Sequence, residues 1–237
     1  MSDSQQIQSA TEQTAAKRSG IKIQVWDRFV RIFHWSLVIS FTLSYWSAKA
    51  GKHELHAVLG YFVVGLVLAR LFWGLYGSHY ARFSNFIHTP AAVLNYLKAI
   101  ASGHPRRYLG HNPAGGIMVM ALLATLVFIT FTGLTVLAVI DFDGPLLGMM
   151  KSLTDQEAYA AWSSHAYAVN LILGMVGLHL LGVILASFQH KENLARAMIT
   201  GLKDPDTETD APPASQPETA GRTAPVYSEL AEGNETI

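Results

Sequence analysis

The chain has 237 residues, of which 50% are hydrophobic and only 14% are charged. Soluble domains carry about 25% charged residues, so this composition is typical of a membrane protein. The formal net charge is zero and says nothing about partners, and the absence of cysteine excludes disulfides, cysteine-ligated iron–sulfur clusters, zinc–thiolate sites and covalent c-type haem.

Four apolar stretches dominate the chain, and each is long enough to cross a bilayer, which takes roughly 20 helical residues. They cover about residues 28–48, 54–76, 113–139 and 162–188. Period-two alternation is absent, and a helix satisfies its own backbone hydrogen bonds in lipid, so all four are predicted to be transmembrane helices. Residues 1–20 are polar, lack the apolar core of a signal peptide and are predicted to form a disordered cytoplasmic leader.

The segments that connect and follow these spans are polar or amphipathic. Residues 89–102 predict a short amphipathic helix on the membrane surface, with Pro90 in its first turn. Asn112 is predicted to cap the third span, and Pro113 fits its first turn. Residues 204–237 are rich in Pro, Thr, Ala and Glu and are predicted to form a disordered cytoplasmic tail.

The placement of Lys and Arg predicts the orientation of the chain. Thirteen of these residues precede or open the first span, join the second span to the third or follow the fourth, against three on the opposite side: Lys49, Lys52 and Lys151. Cytoplasmic loops carry the excess of basic residues, so both termini are predicted to be cytoplasmic. The predicted fold class is an all-α integral membrane four-helix bundle, with an interfacial helix between helices 2 and 3 and a membrane domain over residues 21–203.

Four of the ten histidines lie within predicted spans, namely His34, His56, His165 and His179. An ionisable side chain inside a span is by default a functional hypothesis. His165 and His179 are fourteen residues apart, which corresponds to about 1400° and about 21 Å of helix. They therefore lie on nearly one face, with His165 level with His56 and His179 level with His34. This predicts two cross-helix histidine pairs at two depths.

Facing imidazoles, without cysteine or clustered carboxylates, suit axial ligation of haem iron, and two such haems would carry electrons across the membrane. A proton pathway would need Asp or Glu inside the spans, where only Glu54 lies at an edge, and zinc would need four ligands at one point. Arg31 and Arg107 lie near the predicted haem levels and are candidates to pair with propionates. For either arginine taken alone, ordinary positive-inside charge is the favoured explanation.

Several motifs together resemble the bacterial cytochrome b561 / nickel–iron-hydrogenase b-type cytochrome family: VWDRFVRIFHW, HAVLGYFVVGLVLARLFWGLYGS, GHNPAGG and HAYAVNLILGMVGLHLLGVILASFQHKENLARAMITG. The resemblance covers about residues 21–203. It implies a four-helix membrane protein with two non-covalent b haems, one ligand in each of the first two helices and two in the fourth. It thus implies the four histidines as ligands, and the depth argument pairs His34 with His179 and His56 with His165.

The resemblance also implies electron exchange between the quinone pool and a redox partner in the bacterial cytoplasmic membrane. We expect quinone as an exchangeable substrate and an extracytoplasmic hydrogenase or c-type cytochrome as partner, with no nucleic acid and no catalytic residue. The loop 106–116 and the surroundings of Arg31 are candidates for the quinone site. An electron-transfer subunit is expected rather than a stand-alone enzyme. The alternatives are a stand-alone superoxide or quinone oxidoreductase and a non-respiratory haem-binding module.

Overall fold

The computed structural model describes residues 22–150 and 152–204. The elements in chain order are β1 (Ile23–Gln24), α1 (Arg28–Lys49), α2 (His53–Tyr76), a 3₁₀ turn (Phe83–Asn85), α3 (Pro90–Ala101), α4 (Pro113–Ile140), α5 (Leu147–Met150), α6 (Asp155–Gln189), α7 (Leu194–Thr200) and β2 (Leu202–Lys203). The predicted disordered leader, and the predicted tail beyond Asp204, lie outside the described residues.

Local sequence determines where the long helices begin. Asp27 caps α1 by accepting a hydrogen bond from the Val30 N–H at 2.8 Å. Asn112 caps α4 by accepting from the Gly115 N–H at 2.7 Å. The predicted cap at Asn112, with Pro113 in the first turn, is therefore confirmed. The predicted spans at 28–48, 54–76 and 113–139 agree with α1, α2 and α4 to within one residue at each end, and the predicted surface helix is α3.

The fourth predicted span was placed too short, because α6 begins at Asp155 and not near residue 162. Thr154 and Glu157 form a capping box, in which the Glu157 carboxylate accepts from the Thr154 N–H at 2.8 Å and the Thr154 hydroxyl accepts from the Glu157 N–H. The cap adds about two turns of helix ahead of the apolar run.

The long helices pack as two pairs. α1 lies along α2 and α4 lies along α6, and the pairs meet where α2 contacts α4. The shared core consists of apolar side chains from α2, α4 and α6, namely Val63, Val67, Leu123, Leu126, Ile129, Ala168 and Ile172. Within the described chain, neither α1 nor α2 packs along α6 in this way. α1 and α2 therefore face α6, which carries the other two histidines, without close backbone contact.

Three of the described helices, α2, α4 and α6, are long and apolar enough to cross a membrane. Their outward side chains are apolar too, since Phe62, Leu68 and Leu180 are all more than half exposed. α1 is long enough at 22 residues, but it is less apolar because it carries serines along its buried face (Ser40, Ser44 and Ser47). The mostly helical architecture is as predicted, but four spans are not confirmed, because α1 is not one of these apolar helices.

A short ribbon joins the two ends of the described chain and was not predicted. β1 and β2 pair antiparallel, with Ile23 opposite Lys203. The N–H groups of Val25 and Trp26 both donate to the Gly201 carbonyl, at 2.9 and 3.1 Å. Gly201 has a φ of +83°, and a Cβ there would lie 2.5 Å from the Trp26 carbonyl, so the turn requires glycine. The ribbon holds the start of α1 against the end of α7.

Candidate functional site

The structure brings the imidazole rings of His56 on α2 and His165 on α6 close together. Their ring centroids are 6.2 Å apart and the ring planes are nearly perpendicular, at 85°. Imidazole–metal bonds of about 2.0–2.1 Å and about 1.1 Å from nitrogen to ring centre give about 6.3 Å for two imidazoles that share one metal ion. The spacing of this first pair therefore fits two imidazoles that would bind one metal ion between them.

The backbone fixes the tautomer of both rings in the first pair. His56 Nδ1 lies 3.0 Å from the Ser44 carbonyl, and His165 Nδ1 lies 3.0 Å from the Ile129 carbonyl. A carbonyl only accepts hydrogen bonds, so each Nδ1 carries the proton and donates. Each Nε2 then keeps its lone pair, and this is the arrangement of a metal-binding histidine whose other nitrogen is held by a second interaction.

Three small residues complete the surroundings of the first pair. The Ser44 hydroxyl lies 3.1 Å from His56 Nδ1, and the Thr132 hydroxyl lies 3.2 Å from His165 Nδ1. Gly133 leaves room for the His165 ring, because a Cβ at that position would lie 3.1 Å from His165 Cε1. Sequence reasoning missed all three, since Ser, Thr and Gly are common in apolar helices and nothing local distinguishes these.

The second pair, His34 of α1 and His179 of α6, is placed together as well. The two imidazoles are close enough to interact electrostatically. His34 Nδ1 is buried and has no hydrogen-bond partner within the described part of the chain. No backbone carbonyl fixes the tautomer of this ring, in contrast to the two rings of the first pair.

The two arginines predicted to hold propionates have different surroundings. Arg31 donates from Nη1 to the Ile199 carbonyl at 2.6 Å, and its buried Nε has no hydrogen-bond partner among the described residues. Arg107 forms an ion pair with Glu192 at 2.8 Å and also donates to the Asp204 carbonyl at 2.7 Å. The guanidinium of Arg107 is thus already engaged by the chain itself.

Arg70 of α2 is a candidate that the sequence analysis did not single out. It is only 4% exposed and lies fourteen residues after His56, the interval that separates His165 from His179. That repeated interval is the signal that could have found it. Burial lowers the pKa of nearby His111 to about 3, and the charges of Arg70, Lys203 and His179 add to the effect. His111 therefore lies close to both Arg70 and the second pair.

The wider set of metal-binding side chains offers no competing centre. Across residues 22–150 and 152–204, no three His, Asp or Glu side chains come together as a metal site. The sites that remain are pairs of imidazoles inside a helical, largely apolar bundle. These features define a class of protein, the helical membrane proteins that hold a cofactor between histidines of facing helices.

Comparison with known proteins identifies the family within that class. The chain belongs to the prokaryotic cytochrome b561 family, whose sequence model matches residues 25–201. A curated relative, the probable Ni/Fe-hydrogenase B-type cytochrome subunit of Cupriavidus necator, is 22% identical over 218 residues, which covers 76% of this chain and 86% of the relative. No solved structure matches the chain. The resemblance inferred from the motifs is confirmed.

Family membership makes the chain a b-type cytochrome of membrane electron transfer, and b-type cytochromes bind haem b. The first pair fits this group, because the two rings have the spacing of imidazoles that share one metal ion and each Nδ1 is held by a backbone carbonyl. The second pair offers two further imidazoles, His34 on α1 and His179 on α6, which interact electrostatically. No thiolate is present anywhere in the sequence to favour another kind of ligation.

Proposed function

We propose that the chain crosses the membrane four times and holds two non-covalent haem b groups, one between His56 and His165 and one between His34 and His179. The observation that carries the proposal is the first pair, with ring centroids 6.2 Å apart and both Nδ1 atoms bound to backbone carbonyls. The electrostatic contact between His34 and His179 supports the second pair.

The side chains determine the kind of chemistry that such a site performs. Haem b, when bound, supplies a reversible one-electron couple between ferric and ferrous iron. Two histidines at each site would hold the iron of such a haem, which would then transfer electrons and would not bind oxygen. α6 contributes one histidine to each pair, about 21 Å apart along the helix axis, so one rigid element spaces the two sites across the membrane.

Arginine contacts with the propionates belong to the same proposal. Arg31 is suited to this role, because its buried Nε lacks a hydrogen-bond partner within the described residues. Arg107 is proposed as well, but it would have to share its guanidinium with Glu192, which lies 2.8 Å away.

We infer that the protein exchanges electrons between membrane quinone and an extracytoplasmic redox partner, either a hydrogenase or a c-type cytochrome. The name of the Cupriavidus necator relative, a hydrogenase cytochrome subunit, supports a partner of this kind. The thirteen-to-three distribution of basic residues supports an inner-membrane orientation with both termini in the cytoplasm.

The proposal is tested by haem quantitation and reduced-minus-oxidised spectra of the purified protein and of four single His→Ala variants. We expect two haems in the wild type and the loss or alteration of one haem in each variant. His88→Ala is the control, since His88 lies outside the long helices with its Nδ1 on the Phe86 carbonyl at 2.8 Å. A wild type with one haem or none contradicts the proposal.

Electron exchange is tested separately by adding a quinol to the wild type in proteoliposomes and recording haem reduction. We expect both haems to be reduced, and an added oxidised c-type cytochrome or hydrogenase to reoxidise them. If quinol reduces neither haem in a protein that binds both, the quinone part of the proposal is wrong and the haem part stands.

A further inference from the structure

Arg70 lies inside the bundle at the depth of the second histidine pair. On α2 it follows His56 by fourteen residues, and on α6 His179 follows His165 by the same interval. α2 runs antiparallel to α1, because His56 lies beside Ser44 and Trp73 beside Asp27. α6 runs antiparallel to α4, because His165 lies beside Ile129 and Met175 beside Thr125, and His56 lies opposite His165. An equal step of about 21 Å along each helix, with a rotation about 40° short of four full turns, places Arg70 toward the level and face of His179.

The guanidinium of Arg70 is buried without a counter-ion. The residue is 4% exposed, Nη2 donates to the Ala81 carbonyl at 3.2 Å, and the guanidinium carbon lies 5.0 Å from the centre of the Phe83 ring. Nη1 is buried and has no hydrogen-bond partner among the described residues. A charge kept out of water in this way is costly unless an anion compensates it.

The nearest carboxylate does not fill this role. Asp27 is close enough to Arg70 for an electrostatic interaction, yet its oxygens accept hydrogen bonds from the Val30 N–H, the Trp73 indole N–H and the Ser78 hydroxyl. No ion pair joins Asp27 to Arg70 in the described structure. A second acidic group is therefore needed, and the acidic residues of α2 and α6, namely Glu54, Asp155 and Glu157, all lie in the first turns of these helices, at the other end from Arg70 and His179.

His111 adds a second unused hydrogen-bonding atom to the same region. Its ring lies between Trp26 and Phe86, with centroids 4.7 and 4.6 Å away, and its Nδ1 is buried with no partner in the part of the chain described. Arg70 and His179 both act on His111 electrostatically, so the three side chains share one neighbourhood. Two buried side chains of this region, Arg70 and His111, thus each keep one nitrogen without a hydrogen-bond partner among the described residues.

We propose that Arg70, with His111 beside it, binds a propionate carboxylate of the haem held by His34 and His179. This rests on the proposed function, since that haem supplies the carboxylate. The carboxylate oxygens accept hydrogen bonds from Nη1 of Arg70 and from the imidazole of His111, and no covalent bond forms or breaks. The positive charge of Arg70 also favours the reduced haem, which carries one more electron.

The test reconstitutes the full-length apoprotein, in detergent, with haem b and with haem b dimethyl ester, whose propionates carry no charge. The variants are Arg70→Gln and Arg70→Lys, with Arg82→Gln as matched control because Arg82 is an exposed arginine just after the same helix. We expect Arg70→Gln to release the second-pair haem on the order of 10- to 100-fold faster and to lower its midpoint potential, as loss of a charge-assisted hydrogen bond predicts. Arg70→Lys should restore most of both properties.

The dimethyl ester separates the propionate from other anions. In the wild type, the ester should weaken haem retention about as much as Arg70→Gln does with ordinary haem b. In the Arg70→Gln variant, the ester should weaken retention little further, because the substitution and the ester remove the same contact. If the ester weakens haem retention equally in both proteins, Arg70 binds a different anion, such as a lipid phosphate, and the proposal is overturned.

The first-pair haem serves as the folding control in every variant. If Arg70→Gln keeps that haem and leaves the second-pair haem unchanged in retention and potential, the inference is wrong while the proposed function stands. If Arg70→Gln loses both haems, the deciding variant is His111→Gln, which keeps the buried charge of Arg70. This variant must change the second-pair haem and leave the first-pair haem as it is, or the inference is wrong. A wild type that binds no second haem rejects the proposed function itself.

Discussion

The hydrogen bonds of His56 and His165 explain why two histidines can stay in fixed orientations inside an apolar bundle. Each Nδ1 donates to a backbone carbonyl at 3.0 Å and has a hydroxyl within 3.2 Å, so neither ring turns freely. The histidines themselves could be predicted, because an imidazole is rare inside an apolar helix. The backbone carbonyls that accept their hydrogen bonds could not be predicted, because the choice of carbonyl depends on how two helices pack.

Thr132→Val tests whether the hydroxyl beside His165 tunes the bound haem. The Thr132 hydroxyl donates to the Phe128 carbonyl at 2.8 Å, so toward His165 Nδ1 it acts as an acceptor that makes the imidazole a stronger electron donor. Its removal should raise the midpoint potential of the first-pair haem by about 20–40 mV, the equivalent of about 0.5–1 kcal/mol for one electron. Potentiometric titration measures the change.

The control is Thr135→Val on the same helix, because the Thr135 hydroxyl bonds only to the Phe131 carbonyl among the described partners. It should leave both potentials unchanged. A fall in potential for Thr132→Val, or an equal rise in the control, would contradict this role.

Gly133→Ala tests the space left for the His165 ring. The new Cβ would lie 3.1 Å from His165 Cε1, so the ring must shift by a few tenths of an ångström. We expect an altered low-spin electron paramagnetic resonance signal for the first-pair haem and no change at the second. Gly65→Ala is the control, since a Cβ there meets nothing within 4 Å. An unchanged spectrum for Gly133→Ala would show that the glycine serves helix packing alone.

At the scale of the helices, sequence patterns and structure agree where the apolar run itself sets the boundary. The limits of α1, α2 and α4 follow the hydropathy, but α6 starts at Asp155 because Thr154 and Glu157 cap a polar turn ahead of the apolar run. That capping box is visible in the sequence as Thr-x-x-Glu and could have been used. The fourteen-residue interval on α2 that ends at Arg70 was equally readable.

The Asp27 carboxylate joins the start of α1 to the end of α2, and its titration predicts how the stability of this helix pair depends on pH. It caps α1 and accepts from the Trp73 indole N–H at 2.9 Å and from the Ser78 hydroxyl near the end of α2. Burial alone would raise the pKa of Asp27, but the hydrogen bonds from Ser78, Val30 and Trp73 outweigh it and hold the pKa below its usual value. The folded state therefore favours the charged carboxylate.

Asp27→Asn should lower the free energy of unfolding by about 1–2 kcal/mol at pH 7. Because the pKa of Asp27 is lower in the folded state than in the unfolded chain, where it is about 3.9, the charged carboxylate stabilises the fold at pH values above 3.9. This stability is lost as the pH falls through the pKa of the folded state. The variant and the wild type should therefore converge as the pH falls through the lowered native pKa of Asp27, as measured by denaturation in detergent. Asp141→Asn at the exposed end of α4 is the control. Equal destabilisation at pH 7 and at low pH would contradict the account.

At the scale of the whole molecule, contacts between distant segments close one end of the bundle. β1 and β2 lie near the two ends of the described chain and pair with each other, and Arg31 on α1 donates a hydrogen bond to the Ile199 carbonyl. Such pairing of two-residue strands has no local sequence signal, because each strand is too short to show a period. The sequence therefore predicted the long helices and their histidines but not the ribbon that ties the chain ends together.

Glu192 is the polar centre of this closed end and carries a prediction about stability. Its carboxylate pairs with Arg107 at 2.8 Å and with Lys203 at 3.1 Å, and all three side chains are largely buried. Glu192→Gln should cost about 3 kcal/mol, because it leaves buried cations uncompensated. Asp204→Asn, which breaks the exposed pair with Lys22 at 3.6 Å, should cost less than about 1 kcal/mol. Comparable losses in thermal unfolding would contradict the special role of Glu192.

The central claim is that the four histidines form two independent haem sites that share α6. The most direct test is potentiometric titration with haem quantitation for four single His→Ala variants and two double variants. His56→Ala and His165→Ala should remove the same titration component, and their double variant should remove no more. His34→Ala and His179→Ala should behave likewise for the other component. If His56→Ala instead removes the component that is lost with His179→Ala, the pairing is wrong.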